Sequence, residues 1–173
     1  MPGRRDALIV GAVGIAAAAA GAFLGPLALQ SQSGAADLLS ASYPDLAGQP
    51  QAIATWRGTV LVCNFWATWC APCREEIPLL IAVRQKFSPK GVEIVGIGID
   101  HAAKISQFSR EFGIPYPLLV AGPKAIELMH KLGNPSGALP FTVVQDRNGA
   151  VVYRRLGALR QPDFEQALAG ILG

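Results

Sequence analysis

Cysteine, histidine and charge are all scarce in this 173-residue chain, and each scarcity removes a class of function. Three cysteines, Cys63, Cys70 and Cys73, are too few and too unevenly spread for a disulfide scaffold. Only two histidines are present, His101 and His130, and neither lies at ligand spacing from the Cys70/Cys73 pair, so a closed four-ligand zinc site lacks its remaining donors. Both histidines are expected at the surface. Charged residues make up 16% of the chain, the net charge is +3, and no basic run exceeds Arg154-Arg155. Nucleic acid is therefore not an indicated partner. There is no internal repeat, and no low-complexity segment beyond an Ala/Gly-rich N-terminus.

What is abundant is apolar residues, 51% of the chain, with the excess in the first thirty positions. Arg4-Arg5 precede an uncharged run from Ala7 to Leu29. Up to Gly25 that run would span about 28 Å as a helix, enough for a hydrocarbon core of about 30 Å. The positive flank places the N-terminus on the cytoplasmic side and the rest of the chain outside. Residues 1–36 thus read as a signal anchor or a signal peptide plus tether. The anchor is favoured, because the small residues Ser33 and Ala35 follow a polar stretch and do not close the apolar run. Arg4-Arg5 also looks like a twin-arginine export signal. Ser31 to Ser42, rich in Ser, Gly, Ala and Gln, reads as a tether, with one domain over residues 37–173 whose ordered part begins near Tyr43.

From there the signals alternate. Turns at Asp45–Gln49 and Trp56–Gly58 predict a small hairpin on a sheet edge. Thr59 to Trp66 reads as a strand buried on both faces, with Cys63 a buried small hydrophobe within it. A helix follows from Cys70, carrying Ile77, Leu80, Ile81 and Val83 inward, with Pro78 expected to kink it. Val92 to Ile99 is a second buried strand, Ala102 to Phe112 an amphipathic helix, Leu118 to Val120 a short strand, and Pro123 to Leu132 a further helix. This order predicts an α/β fold with a parallel sheet and right-handed crossovers. Pro140 leads directly into the apolar strand Phe141 to Val144, where it cannot donate a ladder bond, and a cis peptide is expected there. Asp146-Arg147-Asn148-Gly149 then turns the chain into an antiparallel strand, Ala150 to Leu156. Asp163 to Leu172 forms the last helix.

The chemistry lies where the first buried strand meets the first long helix. Cys70 and Cys73 sit at that helix N-terminus, where free N–H groups and the positive end of the helix dipole stabilise an anionic sulfur. Lowering a thiol pKa from about 8.5 to about 7 raises its thiolate fraction at pH 7 from roughly 3% to about half. Cys70, at the turn and more exposed, is expected to attack, and Cys73, one turn deeper, to resolve the mixed disulfide. Two thiolates also leave soft Cu(I) open as a ligand, and a single reactive thiol leaves peroxide reduction open.

The run Asn64-Phe65-Trp66-Ala67-Thr68-Trp69-Cys70-Ala71-Pro72-Cys73-Arg74-Glu75-Glu76-Ile77-Pro78, followed some 65 residues later by Leu139-Pro140-Phe141-Thr142, closely resembles the thioredoxin superfamily. More narrowly it resembles the TlpA/ResA-type membrane-anchored thiol-disulfide oxidoreductases of the bacterial envelope. The resemblance covers roughly residues 40–173. It implies a thioredoxin-like fold, with a central mixed β-sheet flanked by helices, an N-terminal β-hairpin and a central α/β insertion between Val92 and Val120.

It also implies the site. Cys70, Cys73, Glu76 and Pro140 would be catalytic, and Trp69, Ala71, Pro72 and Leu139 would contact substrate. Glu76 falls where the family's acid tunes the cysteines; the alternative is a solvated side chain paired with Arg74 or Arg84. A carboxylate held near a thiol raises the thiol pKa. Pro140 would present a backbone edge to the substrate and exclude metal from the dithiol. Leu139 stands where the family often has Thr, Val or Ser, a departure that bears on the polarity beside the sulfurs. Trp66 is expected to bury beneath the motif and Trp69 to form an exposed contact surface, with Asp100 a candidate for lining the cleft.

The implied activity is two-electron dithiol/disulfide exchange through a redox-active Cys70–Cys73 disulfide, with no organic cofactor and no metal. The direction would be reduction of exported protein thiols, such as in cytochrome c or copper-site maturation. Partners would be protein thiol or disulfide substrates, a membrane electron donor, and the inner membrane through the N-terminal segment, with the protein a monomer on the periplasmic side. A copper-binding metallochaperone-like module and a thiol peroxidase are the alternatives.

Overall fold

A computed structural model describes residues 34–173. The export segment predicted for residues 1–36 lies, up to residue 33, outside the described residues. Strands β1 (Ser42–Pro44) and β2 (Pro50–Ala52) form the predicted hairpin, closed by Asp45, whose Oδ1 accepts the Ala47 and Gln49 N–H groups at 2.8 and 2.9 Å. An isolated bridge from Asp45 to Leu119 sets this hairpin against the main sheet.

The main sheet has five strands, β3 (Val60–Trp66), β4 (Val92–Gly98), β5 (Leu118–Val120), β6 (Phe141–Gln145) and β7 (Val151–Leu156), in the order β5-β4-β3-β6-β7. β3, β4 and β5 are mutually parallel, β6 runs antiparallel to β3, and β7, antiparallel to β6, runs with β3 again. The sheet is therefore mixed, as the family resemblance implied. Its parallel part is made by the crossovers through α2 (Ala71–Phe87) and α3 (Ala102–Phe112), and β5, in the inserted segment, becomes the edge beyond β4.

Helices cover both faces, which is why β3 is buried along its whole length and shows no alternation of polar residues. On one face α2, α3 and α5 (Gln161–Leu172) pack Ile77, Leu80, Val83, Ile105, Phe108, Phe164 and Leu168 against Val62, Trp66 and Ile94. On the other, α4 (Lys124–Lys131) packs Ala125, Leu128 and Met129 against Leu61, Cys63, Phe65 and Val143. Cys63 is fully buried there, and burial pushes its thiol up to about 12. α2 continues through Pro78, whose exposed ring has no N–H to give the Arg74 carbonyl.

One reading is corrected. Residues 34–40, expected to lie in a tether, are helical (α1) and belong to the core. Leu38 is fully buried in the α4 layer, Lys131 pairs with Asp37 at 3.4 Å, and a Cβ at Gly34 would lie 2.4 Å from the Lys131 carbonyl oxygen. Only glycine permits that approach. The segment's composition is linker-like because its helix is held by tertiary contacts more than by its own propensity. Leu38→Ala is expected to destabilise the domain by about 2–5 kcal/mol in urea unfolding; a tether residue would give no measurable change.

Candidate active site

Cys70 is the N-cap of α2, with an extended backbone (φ −87°, ψ 104°). Its carbonyl accepts the Arg74 N–H at 3.2 Å, the first bond of the helix, and its Sγ accepts the Cys73 N–H at 3.3 Å. Pro72 fits the first turn because its absent N–H has no intrahelical acceptor to lose. Cys70 and Cys73 form a disulfide with Cα atoms 5.3 Å apart. Cys70 retains 6% of its accessible surface and Cys73 only 1%, the order expected of an attacking and a resolving sulfur. Ala71 and Pro72 are exposed, and Trp69 is 67% exposed. Trp66 lies buried below the motif, tilted against Phe108 at 5.4 Å.

Glu76 lies one turn beyond Cys73 on the same helix face. It is 3% exposed and makes no pair with Arg74 or Arg84, so the solvated alternative is overturned; Arg84 pairs with Glu93 instead. Its Oε1 accepts Asn64 Nδ2 at 2.8 Å and its Oε2 accepts the Leu159 N–H at 2.9 Å. Burial pushes its carboxyl above the usual carboxylate range, and these two bonds pull back only part of the way. Asn64 also reaches Thr142 Oγ1 at 3.0 Å, tying β3, β6 and α2 through one amide. Asn64 and Thr142 were not among the predicted site residues. Their signal is legible in retrospect, since Asn64 is the one amide in an apolar strand buried on both faces.

The Leu139–Pro140 peptide is cis, and Pro140 is buried. Phe141 pairs with Phe65, so Pro140 falls beside Trp66, at the same end of the sheet as the cysteines. Leu139 is half-buried and touches both core layers. Asp100, just beyond β4, accepts a short hydrogen bond from Thr68 Oγ1 and another from the His101 N–H at 2.7 Å. Burial opposes its charge, but those bonds and the nearby Lys104 and His101 outweigh that and hold it below the usual carboxylate range. It thereby fixes the loop that carries Trp69 and Cys70. His101 and His130 are exposed. Among the described residues, no three His, Cys, Asp or Glu side chains converge as a metal site.

The redoxin family model matches residues 32–170. The chain is 29% identical over 128 residues to the thiol-disulfide oxidoreductase ResA of Geobacillus thermodenitrificans, covering 73% of this chain and 71% of that protein. It is 30% identical over 128 residues to ResA of Bacillus anthracis, covering 73% and 72%. Among solved structures, a thiol:disulfide interchange protein of the thioredoxin family from Chlorobium tepidum superposes with a TM-score of 0.69 at 29% identity, covering 78% of this chain and 94% of that one. The dsbF protein of Mycobacterium tuberculosis shares the fold at 20% identity and a TM-score of 0.66, covering 78% and 96%. With the Cys-Ala-Pro-Cys pair capping its helix and the cis-proline at the same end of the sheet, the chain belongs to the redoxin family and is a thioredoxin-fold thiol-disulfide oxidoreductase of the ResA/TlpA type.

Proposed function

We infer that the Cys70–Cys73 pair works as a reductant of disulfides in exported proteins. The observation that carries this reading is the buried carboxyl of Glu76, one turn beyond the pair. A dithiol becomes a strong oxidant when its thiolate form is stabilised, because that stabilises the reduced state. An ionised Glu76 opposes this, disfavouring a thiolate beside it and leaving the reduced pair readier to give up its electrons.

The reaction balances on the protein's own sulfurs. The Cys70 thiolate attacks one sulfur of the substrate disulfide; that S–S bond breaks, a mixed disulfide forms, and the departing substrate sulfur takes a proton. Cys73, deprotonated with Glu76 as the acceptor, then attacks Cys70 Sγ and releases the second substrate thiol. The substrate gains two electrons and two protons, and the pair ends as the Cys70–Cys73 disulfide. No organic cofactor or metal takes part. Trp69, Ala71, Pro72 and Leu139 offer the contact surface, and Pro140 sets the backbone edge beside which the substrate lies. The segment before residue 34 would hold the monomeric domain on the periplasmic face of the inner membrane, where a membrane donor of two electrons and two protons regenerates the dithiol. Among the described residues no helix is long and apolar enough to cross a membrane.

Titration of the pair against glutathione is expected to give a potential below about −250 mV, and a value near about −120 mV would overturn the reductant assignment. Cys73→Ser should accumulate a mixed disulfide with substrate, and Cys70→Ser should lose insulin reduction. After reduction, native alkylation should label two sulfurs, with Cys63 labelled only on unfolding, in line with its full burial and raised pKa.

Glu76→Gln is expected to lower the thiol pKa read from the pH profile of alkylation, since the variant removes the charge that disfavours the thiolate. Stability gives a second readout with a defined sign. The Glu76 carboxyl titrates higher in the folded protein than when unfolded. Its contribution to stability is therefore complete below about pH 4.3 and is lost as pH rises through the folded value. The pH–stability curve of Glu76→Gln should lack that decline.

A further inference from the structure

At the β5 edge of the sheet a cavity of about 650 Å³ is walled by Asp45, Trp56, Arg84, Ser109, Tyr116 and Leu118, among others. It opens away from the disulfide: Arg84 stands about three helical turns below Cys73 on α2, about 16 Å along the axis at 1.5 Å per residue. We propose that Tyr116 is a positioning residue for the exchange reaction, its hydroxyl carrying protons between Glu76 and this cavity, so that the buried carboxyl sheds the proton it takes from Cys73 while substrate covers the disulfide. The proposal rests on the reading of Glu76 as the proton acceptor of Cys73.

The placement follows from a glycine. Gly96 on β4 pairs with Asn64 on β3, so the two lie side by side, about 4.8 Å apart, and face α2 together. Asn64 holds Glu76 at 2.8 Å. With no side chain at Gly96, neighbouring rings close over the gap: a Cβ there would lie 3.3 Å from Tyr116 Cε2 and 3.1 Å from Trp66 Nε1. The Tyr116 ring therefore sits one strand spacing from the amide that binds Glu76, packed with Trp66, Cys73 and Ile77 in the α2-side layer. The same residue is part of the cavity wall.

The electrostatics suit a relay. Tyr116 is buried, and that burial, then the charge of Glu76, holds its hydroxyl above the usual phenol range. It therefore keeps its proton at neutral pH and passes one on only by accepting another. Beside it, the buried Trp66 Nε1 has no hydrogen-bond partner among the described residues, a donor that a water bridging Glu76 and Tyr116 would satisfy. Glu76 is faced by Asn64, the Leu159 N–H, Cys73 on its own helix and Tyr116, and by no paired cation among the described residues. In the cavity wall Arg84 is paired with Glu93 at 2.8 Å, and Asp45 Oδ1 accepts N–H groups of its own turn. The protons balance. The Cys73 S–H bond breaks as Glu76 takes the proton; the Glu76 O–H bond then breaks as that proton passes, through the bridging water, to the Tyr116 oxygen, whose own proton goes to water in the cavity. Glu76 ends as a carboxylate and Tyr116 as a phenol.

The test measures proton exchange at Glu76 with the disulfide side closed. The full-length Cys73→Ser protein, carrying a cysteine peptide as a mixed disulfide on Cys70, is taken through a pH jump. The C=O stretch of the protonated Glu76 carboxyl, assigned by its absence in Glu76→Gln, is followed by rapid-mixing infrared spectroscopy. Adding Tyr116→Phe, which keeps the ring and loses the hydroxyl, should slow the relaxation about a hundredfold, the lower end of what a positioned proton-transfer group contributes. Tyr116→Ala opens Glu76 to cavity water and should relax at least as fast as the parent. A role in packing alone predicts the reverse order, since truncation to Ala disturbs the core more than loss of a hydroxyl. Ser109→Phe fills the cavity from the α3 surface and should slow relaxation with Tyr116 intact, which keeps the test whole should Tyr116→Ala not fold. An unchanged rate in either Tyr116→Phe or Ser109→Phe would overturn the proton route. A Glu76 band that does not titrate, or a thiol pKa that Glu76→Gln leaves unmoved, would instead overturn the reading of Glu76 as the acceptor.

Discussion

A carboxyl group buried between a helix and a sheet must find donors or remain un-ionised, and the packing around Glu76 is arranged to supply them. Asn64 from β3 and the Leu159 N–H from the segment between β7 and α5 each give one hydrogen bond. Asn64 in turn reaches Thr142 on β6. Three strands or their loops and the helix bearing the cysteines thus meet at one carboxylate. The register enforces the meeting, since Asn64 pairs with Thr142 across the antiparallel ladder and both side chains turn to the α2 face. Without Asn64 the carboxyl would lose a donor that nothing else in an apolar strand could replace.

On the proposed reading, two opposing influences act on the sulfurs, one from the helix and one from this carboxyl. The α2 N-terminus favours a thiolate by about 0.3–1 kcal/mol, rising to ~2 kcal/mol where partly buried. A carboxylate one turn away, at about 6 Å and an effective dielectric near 20, disfavours it by about 3 kcal/mol. The carboxylate wins when ionised and vanishes when protonated. Burial raises the pKa of this carboxyl, and its one proton decides which of the two influences prevails. On the proposed reading, the identity of the redox site lies in the two cysteines, and its poise is set by this third residue.

Much of this was legible in the chain. The apolar run of β3, broken only by Asn64, announced a strand buried on both faces, Pro140 at the head of an apolar strand announced an unusual peptide, and Asn148-Gly149 announced the final hairpin. What was not legible depends on partners far away in sequence. Residues 34–40 carry the small and polar residues of a linker, and only the docking of Leu38 into the α4 layer and the close approach of Gly34 to Lys131 make them part of the domain. Spacing alone left Glu76 facing either solvent or core, because the donors that permit its burial lie 12 and 83 residues away. The Thr68–Asp100 bond spans 32 residues and is invisible to any local pattern.

Topology explains why these distant pieces form a site at all. Parallel strands β3, β4 and β5 all end on the same side of the sheet, so the loops carrying Cys70, Asp100 and Pro123 emerge together. β6 runs the other way, and its first residues, reached through Pro140, arrive at that side as well. A purely parallel sheet would have brought only strand ends there; a purely antiparallel one would have sent alternate loops to the opposite side. The mixed sheet gathers four strand ends, those of β3, β4, β5 and β7, and one strand beginning, that of β6, around a single disulfide, and the end of β7 leads into the segment whose Leu159 N–H holds Glu76.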